Sequence, residues 1–247
     1  MDRMLYVAMA GARQTLTAQT MNSHNLANAS TTGFRQDLAA ARSVPVFAAE
    51  GLPSRVYALA ERAGIDQRPG PITTTGRDLD VALATEGFLA VRDAAGNEAY
   101  TRAGDLKLDV NGQLTTGAGH PVLGDAGPIA IPPAEAIEVA ADGTVSIRPL
   151  GQSAATLAVI DRIRLVRPDP ARLYKGNDGL LHLDAGVTAA PDAGVRLASG
   201  ALEGANVNVP AALVQMIDLA RQYETQVKLM SAAADNERAT DRLIGLS

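Results

Sequence analysis

Leu213-Val214-Gln215-Met216-Ile217-Asp218-Leu219-Ala220-Arg221-Gln222-Tyr223-Glu224-Thr225-Gln226-Val227-Lys228-Leu229-Met230 is the stretch whose reading decides the fold. Leu213, Met216, Ala220, Tyr223, Val227, Met230 and Ala234 follow 3-4-3-4-3-4 spacing. That spacing is the a/d seam of a coiled coil and predicts one long helical pattern from Ala211 to Leu246. Asn208 and Pro210 stand where a start signal belongs. Glu224 and Lys228 form the favoured i,i+4 pair on the outer face. The seam weakens after Ala234, because Glu237 and Asp241 fall on it. At 1.5 Å per residue the helix would reach roughly 50 Å, longer than a small domain needs.

The other end of the chain carries a looser stripe: Leu5, Ala8, Ala12, Leu16, then Gln19 and Leu26. Two stripes at opposite ends can pack on each other and leave the middle as a separate body. From Gln14 through Phe34 there is no Asp, Glu, Lys or Arg. A helix face left in water usually carries charge. Gln, Thr, Asn and Ser cost less to bury than charge and hydrogen-bond in any direction. This run therefore suits a surface that other protein covers. An ordinary buried helix with a few satisfied polar groups reads the same way. The run ends in Asn25-Leu26-Ala27-Asn28-Ala29-Ser30-Thr31-Thr32-Gly33-Phe34.

Residues 35–75 carry Pro45, Pro53, Pro69, Gly70 and Pro71, and read as an extended connector with little regular helix. From about 76 to 200 the period changes to two. Leu79, Val81 and Leu83 alternate with Asp78, Asp80 and Ala82, and Phe88 to Val91 is a short apolar strand. Asn111-Gly112 and Asp142-Gly143 are hairpin turns, the second between Ile137–Val139 and Val145–Ile147. Further strands fall at Ile160–Val166, Leu180–Leu183 and Val195–Ala198. Short strands punctuated by Gly turns predict an all-β body. The fold class expected is thus α+β: long N- and C-terminal helices packed as a coiled coil, a central all-β domain and an extended connector. The boundaries expected are 1–34, 35–75, 76–200 and 201–247.

Composition narrows the function. The chain has 247 residues, enough for one large or two small domains. Aromatic residues are 3% with no Trp, so large core anchors are few and Ala-rich helix packing is favoured. Net charge is -5 and no basic run occurs, which argues against nucleic acid. There is no Cys, which excludes disulfides and thiolate metal sites. Met4 to Ala12 superficially resembles a secretory signal with Ala8-Met9-Ala10 as its cleavage site, but Asp2 cancels Arg3 and the stripe continues to Leu16. No stretch approaches the ~20 apolar residues of a membrane span.

Chemistry is sparse. His24, His120 and His182 are far apart and lack ligand spacing. Asp109-Val110-Asn111-Gly112 matches part of a calcium loop, without its later acidic ligands. Asp78 and Asp80 read as one solvated strand face. No phosphate-cradling loop or nucleophile elbow is present. The sequence therefore predicts no catalytic residue, no cofactor and no metal.

Several motifs in order resemble the axial rod and hook proteins of the bacterial flagellum. They are Asn25-Leu26-Ala27-Asn28 with Thr31-Thr32-Gly33-Phe34; Leu79-Asp80-Val81-Ala82; Gly87-Phe88; Tyr100-Thr101-Arg102-Ala103-Gly104; and Leu202-Glu203-Gly204-Ala205-Asn206-Val207-Asn208. Length and the opening Met1 to Ala12 are most similar to the proximal rod members, with the distal rod members next. One departure is Thr85-Glu86-Gly87-Phe88-Leu89, where many relatives have Gly-x-Gly-Phe-Phe.

The resemblance implies a structural subunit that assembles helically with its own copies and other rod proteins into a hollow, torque-bearing shaft. It implies passage through the flagellar type III export apparatus without signal cleavage, and a place in the basal body crossing the periplasm. It implies neither nucleic-acid binding nor membrane insertion. The assembly residues expected are Leu5, Ala12, Leu16, Asn25, Leu26, Asn28, Gly33 and Phe34, with Leu213, Met216, Ala220, Tyr223, Val227, Met230 and Ala234. Gly33 would provide a backbone angle closed to other residues. Phe34 would anchor the exit against the C-terminal helix or a neighbouring subunit. A different class, a secreted β-rich binding module on a coiled-coil stalk, would need an aromatic or charged pocket. Five Tyr, three Phe and no Trp leave little material for one.

Overall fold

The computed structural model describes residues 2–45, 56–151, 157–184 and 186–245. It divides into two compact units. The first holds both helices and one β-hairpin, from residues 1–29, 36–66 and 207–247. Its elements are α1 (Asp2–Ala27), β1 (Asp37–Pro45), β2 (Val56–Ile65) and, at the chain's far end, the second helix (Val209–Ile244). The second unit, residues 30–35 and 67–206, is built from short strands.

In the helical unit, α1 packs on the C-terminal helix. The Asn208 side chain caps that helix by accepting from the Ala211 N–H at 3.1 Å, with Pro210 in its first turn. The coiled coil expected from the sequence is not there. Leu213 is 46% exposed and Val227 41%, and on α1 Leu16 is 45% exposed. The buried positions lie one residue earlier, at Ala212, Leu219 and Ala233, with Met216, Tyr223, Gln226 and Met230 half-buried and Ala220 and Ala234 at the margin. On α1 they are Ala8, Ala12, Thr15, Asn22 and Asn25. The physical reason is the partner surface. Small and polar residues offer no apolar holes for Leu213 and Val227 to fill, so the closest approach goes to small groups. Gly11 shows it: a Cβ there would stand 3.0 Å from the Gln226 side-chain amide. The Asn22 amide donates to the Ala212 carbonyl at 2.8 Å.

Within the expected extended connector, β1 pairs antiparallel with β2, with a bulge at Leu38/Ala39. Its start is tied to the end of α1. The Asn25 side chain donates to the Asp37 carbonyl at 3.0 Å and accepts from the Asp37 N–H at 2.9 Å, pairing like a strand residue. His24 Nδ1 lies 3.2 Å from the Asp37 carboxylate.

In the β unit the strands are β3 (Ile72–Thr74), β4 (Val81–Leu83), β5 (Phe88–Arg92), β6 (Glu98–Thr101), β7 (Leu106–Leu108), β8 (Leu114–Thr116), β9 (Ala134–Val139), β10 (Thr144–Pro149), β11 (Ala158–Arg162), β12 (Leu165–Val166), β13 (Tyr174–Lys175), β14 (Leu181–His182), β15 (Leu197–Ser199) and β16 (Ala201–Glu203). A five-stranded sheet runs β12-β5-β6-β14-β13 and a three-stranded one β11-β10-β9; β15 pairs with β4, β16 with β3, and β7 with β8. The fully buried core includes Val81, Leu89, Val91, Leu106, Leu114, Val122, Val145 and Ile163. Gly112 and Gly143 turn the β7–β8 and β9–β10 hairpins at φ +76 and +89. The alternation Leu79-Val81-Leu83 does face this core, but Asp80 is not the solvated residue its pattern suggests. It is 4% exposed and accepts from Thr75 Oγ1 at 2.7 Å and Arg77 Nη1 at 3.2 Å.

Candidate functional site

Glu203, at the end of β16, is wholly buried and ionically paired. A buried carboxylate needs its charge and its lone pairs satisfied. Arg35 Nη2 donates to Oε1 at 2.5 Å, and Arg102 Nε to Oε2 at 2.7 Å. The Gly70 N–H donates to Oε1 at 2.9 Å. The Glu203 backbone carbonyl accepts from the Gly33 N–H at 2.7 Å. Arg102 reaches on with Nη1 to the Gly87 carbonyl at 2.6 Å, and its guanidinium carbon stands 5.9 Å from the Phe88 ring centre. Burial pushes the Arg102 guanidinium below its usual range; Glu203 pulls it back up and Arg35 pushes it further down. One buried carboxylate thus gathers Gly33, Arg35, Gly87 and Arg102 from segments far apart in the chain.

Local backbone makes the approach possible. Gly33 has φ +67, and a Cβ on it would overlap the backbone of Arg102 and Ala103. A Cβ on Gly70 would overlap the Gly204 carbonyl, and one on Gly104 the Val81 carbonyl. Phe34 is buried within the β unit. Lys175 Nζ lies 3.7 Å from its ring centre and donates to the Arg35 carbonyl at 2.8 Å.

The motif residues of the flagellar resemblance converge here: Gly33 and Phe34, Gly87 and Phe88, Arg102, and Glu203. Three stretches of the chain match family models: 5–35 "Flagella basal body rod protein", 82–147 "Flagellar hook protein FlgE/F/G D1 domain", and 198–243 "Flagellar basal body rod FlgEFG protein C-terminal". The chain is 45% identical to the flagellar basal-body rod protein FlgF of Escherichia coli and 41% identical to that of Salmonella typhimurium, over 100% of both chains in each case. The chain belongs to the flagellar basal-body rod protein family. A FlgG rod protein of Buchnera aphidicola is 31% identical over 88% of this chain and 92% of its own length. The family is structural, and the ion node joins its motif segments within the β unit.

The remaining sequence-predicted assembly residues lie in the helical unit. Ala12 and Asn25 are buried, Leu5, Leu26 and Asn28 half-buried, and the Asn28 amide donates to the His24 carbonyl at 2.9 Å. The C-terminal set splits, with Leu213 and Val227 exposed and Met216, Ala220, Tyr223, Met230 and Ala234 half-buried.

The sequence does not single out Arg35 or Lys175. Arg35 carries a usable signal, since it ends the uncharged run directly after Gly33-Phe34. Lys175 carries none. The structure also brings His182 to Asp178 and Asp93, ligand-type atoms lying within 4.8 Å of one another, which spacing along the chain hides. His182 Nε2 bonds Asp178 at 3.0 Å, and Asp93 accepts from the Asn97 N–H at 2.7 Å. Each bond lies within its own turn, β13–β14 for His182–Asp178 and β5–β6 for Asn97–Asp93. No helix of the described residues is long and apolar enough to cross a membrane.

Proposed function

We propose that this rod-family chain is a subunit of the proximal rod, and that its copies and other rod proteins stack through the helical unit into a hollow shaft. The observation that carries the reading is the apolar surface of both helices. Tyr6, Val7, Met9 and Leu16 on α1 are 45–53% exposed. Leu213, Val214 and Ile217 on the C-terminal helix are 46–60% exposed, and Val227 and Leu229 are 41% and 38%. A monomer seldom leaves so many large apolar side chains on helices in water. Heterologous contacts between such faces build helical assemblies when the rotation does not close. The proximal position is supported by the higher, full-length identity to the FlgF proteins of Escherichia coli and Salmonella typhimurium than to the FlgG relative. Residues 1–34 and 201–247 would then supply the inner rod wall and 76–200 the outer domain.

The same reading places the chain in the periplasmic part of the basal body, reached through the flagellar export apparatus without loss of its N-terminus. The test is genetic and direct. A strain lacking the gene is complemented with the wild-type chain or with Leu213→Asp/Ile217→Asp, and secretion, basal-body images and swimming are scored. The reading expects secretion of both chains, and rods and swimming only with wild type. Intact rods with the double variant would overturn it.

A further inference from the structure

The cluster of Asp93, Asp178 and His182 lies wholly within the β unit. Asp93 opens the β5–β6 turn, Asp178 sits in the β13–β14 turn, and His182 ends β14. One ring nitrogen and two carboxylate oxygens come within 4.8 Å of one another. Both carboxylates are held in place. Asp93 accepts from the Asn97 N–H at 2.7 Å and from its side-chain amide at 3.3 Å, and Asp178 accepts from the Leu180 N–H at 3.1 Å. A carboxylate offers about four lone pairs, so these bonds leave acceptor capacity on each. Among the described residues neither aspartate pairs with Lys or Arg. The His182 ring stacks on Tyr174, with centres 5.7 Å apart. Gly176 keeps the space beside the donors open. Its φ is negative, so left-handed backbone does not explain the glycine. A Cβ there would overlap Asp178 Oδ1 and stand 2.8 Å from His182 Nε2.

We propose that Asp93, Asp178 and His182 bind one divalent transition-metal ion of the zinc class, with water completing its coordination. An imidazole beside two carboxylates suits Zn²⁺, whereas Mg²⁺ and Ca²⁺ take oxygen donors. At metal–donor distances of about 2.0–2.2 Å, adjacent donors stand roughly 2.8–3.6 Å apart. His182 Nε2 and Asp178 Oδ2 already do, at 3.0 Å. Asp93 needs a swing of about 1 Å to join them. The ion offsets the repulsion between the two carboxylates and replaces any proton between Nε2 and Asp178. It also has a mechanical consequence. Strand β14 meets β6 through the single register pair Leu181–Tyr100. The ion would clamp the β5–β6 turn to the β13–β14 turn beside that narrow junction. This goes beyond the rod reading and does not depend on it.

The test uses the full chain, stripped with a chelator and titrated calorimetrically with Zn²⁺ or Mg²⁺ at neutral pH and fixed ionic strength. The expected result is one saturable Zn²⁺ per chain and no matching Mg²⁺ isotherm. The chain has three His, so imidazole NMR can follow each. The His182 signals should move with Zn²⁺ and those of His24 and His120 should not. Asp93→Asn keeps an acceptor for the Asn97 N–H but removes the ligand from the β5–β6 turn, and should weaken Zn²⁺ binding by about tenfold or more. Gly176→Ala keeps every donor and every charge but fills the space beside them, and should weaken binding comparably. Absence of saturable Zn²⁺ binding would overturn the proposal. So would unchanged affinity in either variant, which marks the His182–Asp178 pair or scattered surface carboxylates acting alone. Equal affinity for Mg²⁺ would mark general attraction to acidic groups and would overturn it too. Should Gly176→Ala fail to fold, Asp93→Asn and the wild-type NMR titration still decide.

Discussion

Arg102 Nε and Glu203 Oε2 meet at 2.7 Å although 101 residues separate them, and both side chains are buried. The pair closes a loop that contains most of the β unit. With Arg35 on the other carboxylate oxygen, Glu203 is the point through which an N-terminal, a central and a C-terminal motif are joined. Its own burial would be unfavourable without those partners.

Glu203→Gln should therefore destabilise the β unit by about 3–5 kcal/mol, because it leaves two buried guanidiniums without a counter-charge. Urea unfolding by circular dichroism measures this. The exposed pair Arg238–Asp235, at 3.3 Å, provides the contrast. Breaking it with Asp235→Asn should cost under about 1 kcal/mol. A Glu203→Gln chain as stable as wild type would show that the node contributes nothing.

Gly33 and Gly96 both have positive φ, +67 and +91, but differ in what surrounds them. A methyl group on Gly96 would have nothing within 4 Å, so Gly96→Ala meets backbone strain alone, about 1–2 kcal/mol. Gly33→Ala meets the same strain and also overlaps the Arg102–Ala103 backbone, which adds roughly 1–3 kcal/mol. Calorimetry on the two variants should separate them by a clear margin in Tm. Equal losses would mean that the close approach at Gly33 relaxes freely.

On the C-terminal helix, neighbouring residues should behave oppositely. Ala212 is 6% exposed and Leu213 is 46% exposed. Ala212→Asp buries a charge beside Asn22 and should destabilise the helical unit by several kcal/mol. Leu213→Asp should leave the isolated chain within about 0.5 kcal/mol of wild type. Under the rod reading it should nevertheless reduce rod assembly. Thermal unfolding followed at the helix band, next to counts of intact basal bodies, distinguishes folding from assembly. Loss of monomer stability with Leu213→Asp would place that side chain inside the helix contact.

How much of this the sequence could show follows from the kind of interaction involved. The hairpins at Asn111-Gly112 and Asp142-Gly143 were legible because their turn residues and flanking alternation are local. The terminal helices were legible from period and caps. Which face of the C-terminal helix is buried was not, because the partner decides it: Ala8, Ala12, Thr15 and Asn22 select small neighbours over Leu213 and Val227. Strand β3 escaped because Ile72, Thr73 and Thr74 are all exposed and its pairing with β16 spans more than a hundred residues. The motifs marked Gly33, Phe34, Arg102 and Glu203 as a set, but nothing in their spacing showed that one carboxylate binds them together. Lys175 lies in no motif and was reachable only through the fold.

Tyr100 offers a test by pH. Its side chain is fully buried; the hydroxyl donates to Glu98 Oε1 at 2.8 Å and accepts from the Ala189 N–H at 2.8 Å. Burial, with the nearby Glu98 carboxylate, pushes the phenol up to about 12, against the opposing effect of the Ala189 N–H. The unfolded phenol ionises near 10, so above that pH the unfolded state loses a proton that the folded state keeps. The contribution is thus fully present below pH 10 and fades as pH rises from 10 through 12, by about 2–3 kcal/mol at most. Tyr100→Phe has no phenol to titrate at this position. The other four tyrosines are common to both chains and cancel in the difference. At pH 8 wild type should be the more stable chain, since Phe leaves the Ala189 N–H and the Glu98 carboxylate without this partner. That gap should narrow steadily between pH 10 and 12 in urea unfolding. A gap that stays constant across the interval would show that the folded protein does not hold the Tyr100 proton.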